Sequence, residues 1–135
     1  MVDAQPQVLW AEDNARDRML IQDSMEDLGQ APGLHLVTDG EVLLEALERK
    51  RPDLIVLDLK MPRLGGIDVL HRIRTEAKWR ALPVIIFSSG NRADELDQCR
   101  ALGVVEIVEK PVDFDAFRAE VQRVVRIAGR PGVRS

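Results

Sequence analysis

A chain of 135 residues, 45% hydrophobic and 31% charged, has the composition of one globular domain with a proper core and no room for a second. A net charge of -4 argues against nucleic acid as a partner, because phosphate backbones need a basic face. The single Cys99 excludes an internal disulfide and any cysteine-based metal cluster.

No apolar stretch approaches the ~20 residues of a membrane span. Residues 1–7 form a lead with no export signal, so the expected location is the cytoplasm, away from membranes. Val8-Leu9-Trp10-Ala11 is an unbroken apolar run, which marks a strand buried on both faces of a parallel sheet. It ends on two acids, Glu12 and Asp13. Asn14 is placed to cap a helix, with Asp17 in the first turn opposing the macrodipole. Ile21, Met25 and Leu28 share one face of that helix, and Gly29 with Pro32-Gly33 ends it. Leu34 to Val37 reads as a short strand carrying His35. Asp39-Gly40 turns into a helix with the apolar stripe Leu43, Leu44 and Leu47, which Pro52 breaks.

Leu54 to Leu57 is the central buried run. It ends on Asp58, and Pro62 stops its extension. After the loop Lys60 to Gly66, Ile67, Leu70 and Ile73 recur at spacing three, with His71 on the polar face. Pro83 introduces Val84 to Phe87, which ends on Ser88-Ser89-Gly90. Asn91 is placed to cap the next helix, and Gly103 closes it as a C′ glycine. Cys99, between Leu96 and Leu102, reads as a small core residue. Val104 to Val108 is the fifth strand, followed by Glu109-Lys110-Pro111. Asp113 caps the last helix, where Phe114, Phe117, Val121 and Val124 face inward. Residues 128–135, with Gly129, Pro131 and Gly132, read as a frayed tail, which leaves 8–127 for the domain.

Five β-α units in succession predict an α/β fold, a doubly wound parallel sheet with helices on both faces and right-handed crossovers. In such a sheet the carboxyl ends of the strands share one edge, where ligands collect. That edge receives Glu12 and Asp13 from strand one, Asp58 from strand three, Ser88 from strand four and Lys110 from strand five. Neither His35 nor His71 reaches it. Crowded carboxylates repel unless a positive charge joins them. Oxygen donors without Cys or His suit a hard cation, Mg²⁺ before Zn²⁺. A metal, a hydroxyl and an ammonium around one carboxylate are what phosphoryl transfer to that carboxylate requires.

The acid pair Glu12-Asp13, the LDLKMP stretch around Asp58, the hydroxyl of Ser88 and Lys110-Pro111 together resemble the receiver domain of two-component response regulators, the CheY-like family. The resemblance covers roughly 8–127 and implies the strand order 2-1-3-4-5. It implies that Asp58 accepts a phosphoryl group from a sensor histidine kinase or a histidine phosphotransfer protein. It implies Mg²⁺ held by Asp13 and Asp58, by Glu12 through water and by the backbone carbonyl of Lys60. Ser88 is then the switch hydroxyl, Lys110 the phosphoryl contact, and the Lys110-Pro111 peptide is expected to be cis. The chain is then a phosphoacceptor rather than an enzyme, assisting its own phosphorylation and slow dephosphorylation, with a homodimer among its expected partners. Glu12-Asp13-Asn14, the segment Arg74 to Pro83 and the lack of an output domain look like the stand-alone regulators paired with phytochrome-type kinases.

Three positions depart from that pattern. Gly65-Gly66 stands where Asp-Gly is usual, Ile107 replaces the usual aromatic switch residue of the fifth strand, and Ser89 follows Ser88 where Ala is usual. Output is therefore expected from the fourth helix, fifth strand and fifth helix through a backbone shift rather than an aromatic flip. Two rival readings are weaker. A phosphohydrolase of the haloacid dehalogenase type needs an acid where this chain has Lys60. A receiver-like binding module acting without phosphorylation typically lacks an acid or the Lys, and this chain keeps them all.

Overall fold

The computed structural model describes residues 5–29 and 32–130. Its elements run β1 (Gln7–Ala11), α1 (Ala15–Glu26), β2 (Gly33–Val37), α2 (Gly40–Arg49), β3 (Leu54–Leu57), α3 (Gly66–Thr75), β4 (Val84–Ser88), α4 (Ala93–Ala101), β5 (Glu106–Glu109) and α5 (Phe114–Ile127). All strand pairs are parallel, and the sheet order is β2-β1-β3-β4-β5, as expected.

Continuous apolar strands are explained by two cores, one on each face. Leu9, Ala11, Ile55, Leu57 and Ile86 pack with Leu43, Leu47, Leu70, Ile73 and Cys99 of α2, α3 and α4. Their alternates Val8, Trp10, Leu54, Val56, Ile85 and Phe87 pack with Ile21 of α1 and Phe117, Val121, Val124 and Val125 of α5. The period of two in a strand sends neighbouring residues to opposite faces, so each face needs its own apolar set. Trp10, Phe87 and Phe117 stack edge to face at 5.2 and 5.3 Å between ring centroids.

Helix boundaries follow their caps. Asn14 and Asp113 accept from the backbone N–H of Asp17 and Ala116, as the sequence predicts, and Asp39, read there as a turn residue, caps α2 by accepting from the Val42 N–H. Asn91 does not cap α4. Arg92 occupies the N-cap, its N–H donates to Glu95 Oε1 at 2.9 Å, and Asn91 turns its amide toward Ser88 instead. Gly103 closes α4 at φ 70°, the left-handed conformation that suits glycine. Cys99 is the sole buried residue of α4.

Further expectations are corrected. β5 begins at Glu106 rather than Val104, and Val105 is half exposed, because β5 is the edge of the sheet. Phe114 is exposed, at the first position of α5. Among the described residues no peptide is cis, so Lys110-Pro111 is trans. The two isomers of such a bond differ by only about 0.5–1 kcal/mol, and the Lys110 N–H still meets Ser88 O at 2.8 Å. Ala128, expected to begin a frayed tail, is buried in the core between the sheet, α1 and α5. Residues 131–135 of that tail and 1–4 of the lead lie outside the described residues.

Candidate functional site

Register brings the polar residues together. Ala11 pairs with Leu57, Leu57 with Ile86, and Ser88 with Glu109, so the residues just past these positions share one edge. Glu12 keeps its N–H on Val37 O at 3.0 Å, and Asp58 keeps its own on Ala11 O at 3.2 Å. Both acids are thereby fixed by the sheet rather than by a loop. Arg18, one turn into α1, donates to the carbonyls of Glu12 and Asp13 at 2.9 and 2.7 Å and secures the segment that carries the acid pair.

Asp58 is buried, and both of its carboxylate oxygens are engaged. Oδ1 accepts from the Ser88 hydroxyl at 2.8 Å and from the Lys60 N–H at 3.0 Å. Oδ2 accepts from Lys110 Nζ at 2.8 Å. The Ser88 hydroxyl also lies 3.0 Å from Asn91 Oδ1, and with a single proton it serves one of these acceptors at a time. Lys60 turns its side chain away from Asp58, so that Nζ donates to Gly90 O at 2.7 Å and bridges the β3–α3 and β4–α4 loops. Gly66 lies against the backbone of Asp58. A Cβ there would meet Asp58 O at 2.4 Å, so only glycine lets α3 start so close. Gly65 is the N-cap of α3 and offers no side-chain cap, in keeping with the sequence.

Lys110 faces three carboxylates: Asp58 at 2.8 Å, and Asp17 and Glu12 at 2.9 Å. Burial would lower its pKa, but the carboxylates of Asp58, Asp17 and Glu12 outweigh burial and raise it. Burial first, then hydrogen bonding and charge repulsion from Asp58, push Glu12 up to about 8, with Lys110 opposing. Burial would also raise Asp58, but hydrogen bonds with Glu12, Lys110 and the Lys60 N–H hold it below the ordinary carboxylate value. A proton therefore rests on Glu12 at neutral pH, while Asp58 stays ionised.

Glu12, Asp13 and Asp58 offer carboxylate oxygens within 4.8 Å of one another; Asp13 is exposed and the other two are buried. The ammonium of Lys110 alone, among the described residues, stands against Glu12, Asp58 and Asp17 together. An all-oxygen donor set with surplus negative charge fits a hard divalent cation.

The sequence-predicted residues Glu12, Asp13, Asp58, Ser88 and Lys110 converge here. Ser89 and Ile107 do not join them. Ser89 is exposed in a groove with Lys110, Asp17, Leu20 and Phe117, and Ile107 is half-buried against the core on the α4 side. Sequence reasoning assigns Asp17 only a helix-dipole role and passes over Arg18. The available signal is position: both lie in the first turns of a helix that leaves the edge where the acids sit.

Comparison with known proteins agrees with this geometry. The profile of the response regulator receiver domain matches residues 8–122. The probable methanogenesis regulatory protein FilR2 of Methanothrix harundinacea is 28% identical over 123 residues, which are 87% of this chain and 79% of that protein. The transcriptional regulatory protein CseB of Streptomyces coelicolor is 35% identical over 130 residues, which are 95% of this chain and 53% of that protein, so the chain spans about half its length. The crystal structure of the phosphorylated cyanobacterial phytochrome response regulator RcpA superposes with a TM-score of 0.83 at 26% identity, covering 90% of this chain and 91% of that one.

Proposed function

This chain belongs to the response regulator receiver domain family, and on that premise we propose that Asp58 is its phosphoacceptor. Receiver domains are signalling domains, and members of the family accept phosphoryl groups. The observation that carries the reading is the setting of Asp58: buried and held on both oxygens by a hydroxyl, a backbone N–H and an ammonium.

The donor is a phosphohistidine on a sensor histidine kinase or a histidine phosphotransfer protein. A carboxylate oxygen of Asp58 attacks phosphorus as the P–N bond breaks, and the imidazole leaves with the bonding electrons. Lys110, already beside Asp58, neutralises charge on the phosphoryl oxygens. Ser88 supplies a hydroxyl that donates to one of them. Asp13, Asp58 and Glu12, with the carbonyl of Lys60, would hold Mg²⁺. Such a cation would relieve repulsion among these acids and supply positive charge to the phosphoryl oxygens.

Output runs through α4, β5 and α5. Ser88 moves toward the phosphoryl group, and the 88–93 segment shifts as backbone, because Ile107 is short and stiff at χ1. Among the described residues no helix is long and apolar enough to cross a membrane, and we propose the cytoplasm as the protein's location. The likeness to RcpA supports a phytochrome-type kinase as donor, and a second copy of the chain is a candidate reader.

Incubation with acetyl phosphate and Mg²⁺ tests the acceptor. One acid-stable, base-labile acyl phosphate is expected, absent from Asp58→Asn. Full labelling of that variant, or label on Ser88, overturns the assignment.

A further inference from the structure

Asp17 has a partner that its place in the first turn of α1 does not foretell. The N-terminus of α1 is closed without its carboxylate. Asn14 Oδ1 accepts the Asp17 N–H at 2.9 Å, and the Asn14 N–H goes to Glu12 Oε2 at 3.2 Å. The Asp17 carboxylate instead reaches the segment after β5, where Lys110 Nζ donates to Oδ2 at 2.9 Å. The two side chains are 15% and 10% exposed, so the pair is largely withdrawn from water.

Lys110 Nζ donates hydrogen bonds to Asp58 and Asp17 and lies 2.9 Å from Glu12 Oε1, which takes no hydrogen bond from it. Two of them, Asp58 and Glu12, belong to the acid cluster whose charge changes when a phosphoryl group arrives. Asp17 stands outside that cluster, on α1. We propose that Asp17 is a positioning residue for phosphoryl uptake, holding Lys110 from the α1 side so that the ammonium stays beside Asp58 as the new P–O bond forms. This rests on Asp58 being the acceptor. As an Asp58 oxygen enters the acyl phosphate anhydride, the carboxylate's own negative charge is lost to the bond and its hold on Lys110 weakens. Without a fixed second anchor, a side chain with four rotatable carbons follows the nearest remaining charge, and orientation is lost when it is needed. A bare structural tie between α1 and β5 makes a different prediction: it alters stability and leaves the chemistry alone.

The test is the rate of acyl phosphate formation from acetyl phosphate at saturating Mg²⁺, in wild type, Asp17→Ala, Asp17→Asn, Lys110→Ala and the Asp17→Ala/Lys110→Ala double variant. Asp17→Ala is expected to lower the maximal rate about tenfold, less than the roughly 100-fold that a full ångström of misplacement costs. The acetyl phosphate concentration giving half the maximal rate stays unchanged. Asp17→Asn keeps an acceptor oxygen for Lys110 and restores most of the rate. In the Lys110→Ala background, Asp17→Ala has no further effect, because the residue acts through Lys110. A wild-type rate in Asp17→Ala, an Asn variant as slow as the Ala variant, or the same loss without Lys110 overturns the proposal. If wild type itself takes no label, the acceptor reading falls first, and that failure is separately visible.

Discussion

The Ser88 hydroxyl donates to Asp58 Oδ1 across 2.8 Å, joining the last residue of β4 to the carboxylate that follows β3. Ser88 is fully buried, and its backbone carbonyl receives the Lys110 N–H, so any pull on its side chain acts on the root of the β4–α4 loop. Ser88→Ala is expected to retain phosphoryl uptake, since Lys110 and the Lys60 N–H still hold Asp58. It should lose the change in amide exchange over 88–93 that a beryllofluoride mimic produces in wild type. An identical exchange response in the Ala variant would falsify the route.

Glu12 gives the metal-free protein a pH dependence of definite sign. Its pKa rises from an ordinary 4.5 to about 8 on folding, so the folded protein binds that proton more tightly than the unfolded chain. The stabilisation is complete below about 4.5 and is lost as pH rises through about 8. Urea denaturation with a chelator present should therefore show a falling midpoint across this window. Glu12→Gln should flatten that part of the curve, and Mg²⁺ should restore stability at the alkaline end, because it binds the ionised acid. Parallel curves for wild type and Glu12→Gln would remove Glu12 as the source.

Trp10 is fully buried, two residues before Glu12, and stacks on Phe87 next to the site-bearing end of β4. Mg²⁺ titration should change its fluorescence, while Trp79, in the opposite core, contributes a constant background. Asp13→Asn should weaken that response and phosphoryl uptake together. An unaltered titration in the variant contradicts the placement of the cation.

The two glycines at the start of α3 should respond in opposite directions. Gly66→Ala forces a methyl group against Asp58 O and costs about 2 kcal/mol as an overpacking change. It should also slow phosphoryl uptake by displacing the acceptor. Gly65→Asp meets nothing closer than Leu59 O at 3.6 Å and gives α3 a side-chain cap, a gain of a few tenths of a kcal/mol. Thermal denaturation of both variants reads the contrast directly, and a stable Gly66→Ala would show that the backbone there can yield.

Much of this architecture is legible in the amino-acid sequence, because parallel strands buried on both faces write themselves as apolar runs. Four of the five runs end on the residues that converge, so strand order alone draws the edge bearing Glu12, Asp13, Asp58, Ser88 and Lys110. Contacts set by side-chain reach are not legible. The pair between Asp17 and Lys110 spans 93 positions, and no local pattern announces it. The start of β5 escapes the pattern because Val104 and Val105 look like core residues, while the edge of a sheet leaves such residues partly exposed. The isomer of the Lys110-Pro111 bond rests on an energy difference too small for pattern reading. Asn91 suits a cap by residue type, but the Ser88 hydroxyl competes for the same oxygen.

The mooring of α4 has a consequence for local stability. Of its nine residues, only Cys99 is buried, and Arg92 at its N-terminus gives no side-chain cap hydrogen bond. A helix with so little buried surface is expected to open at lower free-energy cost than α5, which amide exchange across the two helices measures. Truncating Cys99, its one buried side chain, should therefore loosen α4 before any other helix.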